Sequence, residues 1–229
     1  MVWHDLLFMH WPLEPRAVEA ALPPGIKPDL YEGRAWVGVV PFWMSGVRHR
    51  LHPPLPGLSR FPELNLRTYV VSQGRPGVYF FSLDAASRLT VWGARRFFHL
   101  NYFLARMRAR RSTDGWVEYR SARREGAGPA ARFAGRYRDV GAEFVARPGS
   151  LEHFLTERYC LYAADARALW WRCEIHHGPW RLRPAEAEVG QNTMAGASGI
   201  RLPATPPLLH FAARQDMVAW WKRPAGGPE

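Results

Sequence analysis

The sequence predicts a β-rich α+β fold: an antiparallel sheet closed as a barrel or cone around one pocket, with few short helices. Three observations point there. Short runs rich in β-branched and aromatic residues follow one another, 20 glycines and 20 prolines punctuate them, and few stretches keep a helical period. Strands that follow one another with few helices between them pair most simply as antiparallel neighbours, and closure removes the sheet's exposed edges. A large enough barrel encloses room for a small molecule.

Taken in chain order, residues 15–22 are a short helix, started by Pro15 and stopped at Pro23-Pro24. Residues 34–42 are strand-like through Trp36, Val37, Val39 and Val40. Residues 64–72 and 78–83 are strands separated by the turn Gln73-Gly74-Arg75-Pro76-Gly77. Residues 85 to about 107 are the longest helix-compatible run, weakened in its middle by Gly93. Residues 116–121 and 132–137 alternate apolar with polar and form a hairpin around the loop at Glu125. Ser150 caps a helix over 151–157, with Glu152 suited to its positive first turn. Runs 158–162, 169–175 and 210–221 complete a set of about eight strands.

A chain of 229 residues holds a substantial core, and no repeat or linker divides it, so residues 1–229 read as a single domain. Hydrophobic content of 47% excludes a disordered tail. No apolar run approaches the roughly 18–20 residues that cross a bilayer. The start of the chain carries Asp5 and lacks a signal-peptide pattern, so no membrane partner is expected and the cytoplasm is. Lysine and arginine number 31 against 20 acids, a net charge of +11, and only Lys27 and Lys222 are lysines, leaving 29 arginines. The densest cluster is Arg106, Arg108, Arg110 and Arg111, followed by Arg120, Arg123 and Arg124. It lacks the aromatic interleaving or helix-turn-helix pattern of a nucleic-acid module, so nucleic acid is not expected as a partner. Cys160 and Cys173 stand in apolar surroundings without a CxxC pair and read as inert core thiols.

Two polar blocks interrupt strand-like surroundings. In residues 61–70, period two puts Glu63, Asn65, Arg67 and Tyr69 on one face and Leu64, Leu66, Thr68 and Val70 on the other. Turned into a barrel, Glu63 is a candidate acid/base and Arg67 an anion holder, with Asn65 and Tyr69 beside them. Turned outward, the same face is a solvated surface whose ion pair is worth little. In the second block Arg95, His99 and Tyr102 recur at i, i+4 and i+7, so a helix presents them together. Arg95 is then a carboxylate clamp, with His99 or Tyr102 as acid/base. The competing reading is an arginine–Asp84 structural pair and a core tyrosine. Glu174, His176 and His177 do not make a metal site, because adjacent strand residues point to opposite faces. His49 and His52 lack the glutamate of a zincin helix. Ser82 and Ser198 lack a nucleophile elbow, and Gly126 and Gly128 do not form a phosphate loop. Neither metal nor cofactor is expected.

At these residues the chain resembles the YqjF-like proteins, a conserved family of unassigned function. The phrases that carry this are His10-Trp11-Pro12, Leu22-Pro23-Pro24-Gly25, the run from Gly33 to Gly38, the run from Phe61 to Val70, the run from Gly77 to Asp84, the run from Phe154 to Tyr159, and His177-Gly178-Pro179-Trp180. Through the stretches at 22–29 and 78–95 it is more distantly similar to the acetoacetate decarboxylase superfamily. That resemblance implies a β-rich cone around a pocket, with Glu63 at the place of the active-site glutamate and His4 near that of an N-terminal arginine. Ala94-Arg95-Arg96 falls where the decarboxylase has Gly-Arg-Glu, and Asn101-Tyr102-Phe103 falls near its Pro-Lys-Lys. The Schiff-base lysine is missing, and Lys27 and Lys222 lie far from the motif. Imine chemistry needs an amine there, so Schiff-base decarboxylation is excluded as the expected activity.

The expected function is therefore binding of a small carboxylate or keto-type ligand in an internal pocket. Glu63 and Tyr102 would serve any lysine-independent lyase or hydratase step, with Arg67, Arg95, His99, Tyr69 and Asn65 as ligand-binding residues. The alternative is a non-catalytic interaction protein whose arginine-rich surface meets an acidic partner or nucleic acid. A homo-oligomer is compatible with either.

Overall fold

The structure is a computed structural model that describes residues 1–47 and 60–225, so the His49–His52 pair lies outside the described residues. The first half of the chain forms β1 (Val2–Leu13), α1 (Pro15–Glu19), β2 (Lys27–Pro28), β3 (Ala35–Ser45), β4 (Phe61–Ser72), β5 (Arg75–Ala85) and α2 (Arg88–Phe98). Next come β6 (Tyr102–Arg111), β7 (Val117–Arg123), β8 (Arg132–Asp139), β9 (Phe144–Val145) and α3 (Leu151–Thr156). The remainder is β10 (Cys160–Ala164), β11 (Trp170–His177), β12 (Arg181–Asn192), β13 (Leu208–Ala219) and β14 (Arg223–Pro224).

These strands belong to one sheet, paired in the order β14, β11, β10, β5, β6, β7, β8, β12, β13, β1, β3, β4, β2, with β9 beside β12. Further ladders join β4 to β5 and β11 to β13. The expected antiparallel sheet is corrected at two joints: Leu83 pairs with Tyr102 between β5 and β6, and Leu161 with Val78 between β10 and β5, both parallel. Parallel neighbours cannot be joined by a tight turn, and α2 supplies the crossover from β5 to β6.

The long helix expected from 85 to about 107 is corrected as well. Ser87 caps α2 by accepting from the Thr90 amide, and His99 ends it in the left-handed conformation at φ 55°. Beyond it the pattern changes to period two: Arg106, Arg108 and Arg110 are exposed, while Ala105 is buried and Met107 and Ala109 are half-buried. Tyr102 therefore sits on β6, and the helical face proposed for Arg95, His99 and Tyr102 does not exist. Strand β1 has no readable period because Leu6 to Trp11 are buried on both faces. Strand β12 hides behind helix-forming Ala and Glu residues, but its Glu186 and Glu188 bond to Arg138 and Arg136 across the ladder with β8.

Strand β4 is buried from Glu63 through Val70, with an interior on both faces. Leu64 and Leu66 join the main core with Leu7, Val37, Val39 and Phe211. The opposite face carries Glu63, Asn65 and Arg67 toward a second cluster that includes Leu6, Phe8, Phe42, Leu83 and Trp180. Gly38 lies across from Arg67. A Cβ there would come within 2.9 Å of the His10 ring, so glycine is what admits the imidazole.

Elsewhere a buried ion pair fixes β5 to β7. The Arg123 Nε–H is shared between both oxygens of Asp84 and a terminal nitrogen donates to the same carboxylate at 2.7 Å, with side-chain exposures of 2% and 0%. Arg123, not Arg95, is thus the partner of Asp84. Removing one member leaves an uncompensated buried charge. Arg123→Met is expected to lose about 3–5 kcal/mol of stability in urea unfolding, and Asp84→Leu in the same chain to recover part of that loss.

Candidate functional site

A cavity of about 290 Å³ lies against the polar face of β4. Glu63, Asn65 and Arg67 line it, Tyr102 of β6 reaches it from the side, and Thr90, Gly93, Ala94 and Phe98 of α2 cover part of its wall. Alternation along an interior strand is what turns three polar residues to one chamber. The outward reading of this face is overturned, since Glu63 is 3% and Arg67 8% exposed.

Among the described residues Arg67 is held without a carboxylate. Its terminal nitrogen donates to the Tyr69 hydroxyl and to the Leu155 carbonyl, each at 3.1 Å. Leu155 belongs to the last turn of α3, where carbonyls have no helical partner and carry the negative end of the helix. The guanidinium also stands 5.1 Å from the centroid of the Phe8 ring. The Tyr69 hydroxyl donates to the same Leu155 carbonyl at 2.7 Å and lies 2.7 Å from His10 Nε2. Burial, followed by the charge of Arg67, holds His10 well below the usual histidine range, so the ring is neutral. Three arginines are buried among the described residues. Arg123 pairs with Asp84 and Arg158 with Asp29, and Arg67 is the one with no acid within ion-pair distance.

Glu63 stands four residues away on the same face, about 13 Å along the strand. Its Oε2 accepts from the Tyr102 hydroxyl at 2.7 Å. Burial pushes its carboxyl up to about 8, against the lowering effect of the Tyr102 bond. At neutral pH the group is mostly protonated and can both donate and accept. Between the two ends, Asn65 Oδ1 is buried without a hydrogen-bond partner, as is Arg67 Nε. Strand β4 therefore presents to the cavity one guanidinium, one amide and one mostly protonated acid, within a lining that is largely apolar.

Among the expected site residues, Glu63, Asn65, Arg67 and Tyr102 meet at the cavity, and Tyr69 braces Arg67 from behind. Arg95 and His99 do not line it. Arg95 is exposed and donates from Nε to the Tyr102 carbonyl at 2.5 Å, tying α2 to β6. His99 contacts Lys222 on the outer surface, near Trp171. No lysine side chain lines the cavity among the described residues. His10, Leu155 and Tyr119 have no role legible in the sequence. The Tyr119 hydroxyl sits between the Phe42 and Glu63 carbonyls, at 3.0 and 2.6 Å, and anchors the backbone beneath Glu63. Only its place on the inward face of β7 hints at this. Cys173 also lines the chamber, but burial pushes its thiol up to about 12. His177 is buried against the Gly178 and Arg158 carbonyls while His176 is exposed. No helix of the described residues is long and apolar enough to cross a membrane.

This arrangement of strands is the fold of acetoacetate decarboxylase-like proteins. The enduracididine biosynthesis enzyme MppR, solved with the condensation product of pyruvate and imidazole 4-carboxaldehyde, matches with a TM-score of 0.70 and 12% identity, over 98% of this chain and 88% of that one. Acetoacetate decarboxylase from Legionella pneumophila subsp. pneumophila str. Philadelphia 1 matches with a TM-score of 0.61 and 12% identity, over 99% and 87% of the two chains. At such identities the likeness is one of fold. Sequence narrows it further. The uncharacterized protein YqjF of Bacillus subtilis (strain 168) is 46% identical over 218 residues, covering 95% of this chain and 88% of that protein. The model of DUF2071, described as an uncharacterized conserved protein, matches residues 1–216, and the chain belongs to this family.

The raised Glu63 pKa carries a sign. The folded state keeps its proton between about 4.5 and 8 while the unfolded chain has released it, so stability falls as pH rises through that window. The slope from this group is at most about 1.4 kcal/mol per pH unit. Melting wild type and Glu63→Gln from pH 5 to 9 should show wild type losing ground to the variant above pH 5, and parallel curves would remove the assignment.

Proposed function

We propose that the chain binds a small carboxylate or keto-type ligand in the β4 cavity, a site suited to lysine-independent proton transfer of the lyase or hydratase kind. The supporting observation is Arg67: among the described residues it is a buried guanidinium held by neutral groups, while the other buried arginines have acids. An unpaired interior charge is costly, and a ligand carboxylate offsets that cost with charge-assisted hydrogen bonds. Asn65 then orients a carbonyl or hydroxyl group. Glu63, protonated, donates to oxygen where negative charge develops and takes the proton back afterwards, with the Tyr102 hydroxyl bonded to its other oxygen. A pKa of about 8 places it near the value that serves both directions at neutral pH.

In this reading the ladder from β5 through β6, β7, β8, β12, β13, β1 and β3 to β4, and back to β5, acts as a barrel-like wall around the chamber. Residues 1–229 work as one cytoplasmic domain without a nucleic-acid partner. MppR, a neighbour in fold, is also solved with pyruvate, which is consistent with a keto-acid site but concerns that protein. No imine is invoked, since the cavity's lining includes no lysine side chain among the described residues.

A second reading rests on the outer face of β6 and β7. Arg108 lies directly opposite Arg120, with Arg106 and Arg110 on the same exposed face. Like charges across a ladder destabilise it unless a polyanion covers them. That reading expects heparin retention that falls steeply with salt.

Ligand-induced thermal stabilisation by 2-oxo acids tests the first reading. Arg67→Gln is expected to weaken binding of any hit by about 2 kcal/mol or more, some thirtyfold. Where turnover is found, Glu63→Gln is expected to abolish it with binding retained, and the wild-type rate to decline as pH rises through about 8. A hit that binds Arg67→Gln as tightly as wild type would sink the assignment.

A further inference from the structure

We infer that the ligand of this cavity is a carboxylate carrying an apolar body of six carbons or more, rather than a three- or four-carbon keto acid. This deepens the reading above, because it takes Arg67 as the carboxylate's partner. The first support is size. About 290 Å³ is room for roughly ten waters, and a three-carbon acid of six heavy atoms occupies less than half of it.

The second support is the distribution of polarity. The site's charged and amide groups stand in a row on β4, with Tyr102 beside Glu63. The rest of the lining includes Trp3, Phe42, Met44, Phe80, Phe98 and Ile175, with Phe42 and Phe80 flanking β4 as the ladder partners of Glu63 and Arg67. A chamber polar along one strand and apolar around it matches an amphipathic acid, with its head at Arg67 and its body against the aromatic and aliphatic lining. A short acid leaves those walls uncovered and forgoes their burial, the main source of affinity in such sites.

The third support is α2. Thr90, Gly93 and Ala94 are small residues on the helix stripe that faces the chamber. A Cβ at Gly93 would meet nothing within 4 Å, and the backbone there is ordinary helix, so this glycine relieves no steric conflict. A helix former would serve the helix better at that position. What glycine preserves is space.

The experiment measures binding by calorimetry across 2-oxo acids of three, four, six and eight carbons, with phenylpyruvate as the aromatic member. Each added methylene should tighten binding roughly fourfold while it is buried. The eight-carbon acid should therefore bind at least about fiftyfold more tightly than pyruvate. Gly93→Leu, filling the space from the helix side, should weaken the eight-carbon acid about tenfold or more, leave pyruvate unchanged, and melt no earlier than wild type. Thr90→Leu on the same stripe replaces it should that variant melt early. If pyruvate binds as tightly as the long acids, the size inference is wrong and the Arg67 reading stands. If long acids win but neither helix variant alters them, the apolar body lies elsewhere and the inference is equally wrong. If no acid binds, or all bind Arg67→Gln unchanged, it is the underlying reading that fails.

Discussion

A guanidinium in a protein interior must be held by something, and for Arg67 the holding is done by dipoles. The open carbonyl of Leu155, the Tyr69 hydroxyl and the Phe8 ring share the task, and His10 supports Tyr69 in turn. The supporters come from β1, β4 and α3, so the site forms only when these three elements have come together. Gly38 on β3 belongs to the same constraint, since its missing side chain is where the His10 ring packs. A short helix that would be marginal alone is useful here because its C-terminal carbonyl ends beside the cation.

Other buried charges are treated differently. Arg123 and Arg158 are neutralised by Asp84 and Asp29, and both pairs tie distant strands or loops together. At Glu63 the acid is neutralised by a proton instead, because burial outweighs the hydrogen bond from Tyr102. The cavity therefore keeps a net positive character although an acid lies four residues from the arginine. Pairing the two directly would have closed the chamber to anions. Their spacing on one strand face keeps them apart.

The fold is shared with acetoacetate decarboxylase-like proteins, while this chain brings no lysine to the chamber among its described residues. Folds outlast chemistries because walls are set by strand pairing and reactivity by a handful of inward side chains. Strand β4 shows the division plainly. Leu64 and Leu66 serve the core that every such sheet needs, and the alternate positions are left to specify a site.

By itself the sequence determined the β-rich class, the polar alternation at residues 63–67, and the lack of an amine at the expected place. These are local or compositional properties, legible because a strand's period is two and because lysine can be counted. Tertiary structure alone decided that both faces of β4 are interior, that Arg67 has no acid among the described residues, and that Arg95 and His99 lie off the chamber. It also decided where α2 ends: the alternation from Ala105 to Arg110 is a local sign of a strand, but the run from 85 is helix-compatible and does not by itself mark the stop at Phe98. The ladder of β6 with β5 and β7 supplies backbone partners that a longer helix would forgo. His10, Leu155 and Tyr119 were illegible for the same reason, since a side chain's role as a brace depends on which distant atoms the fold sets beside it.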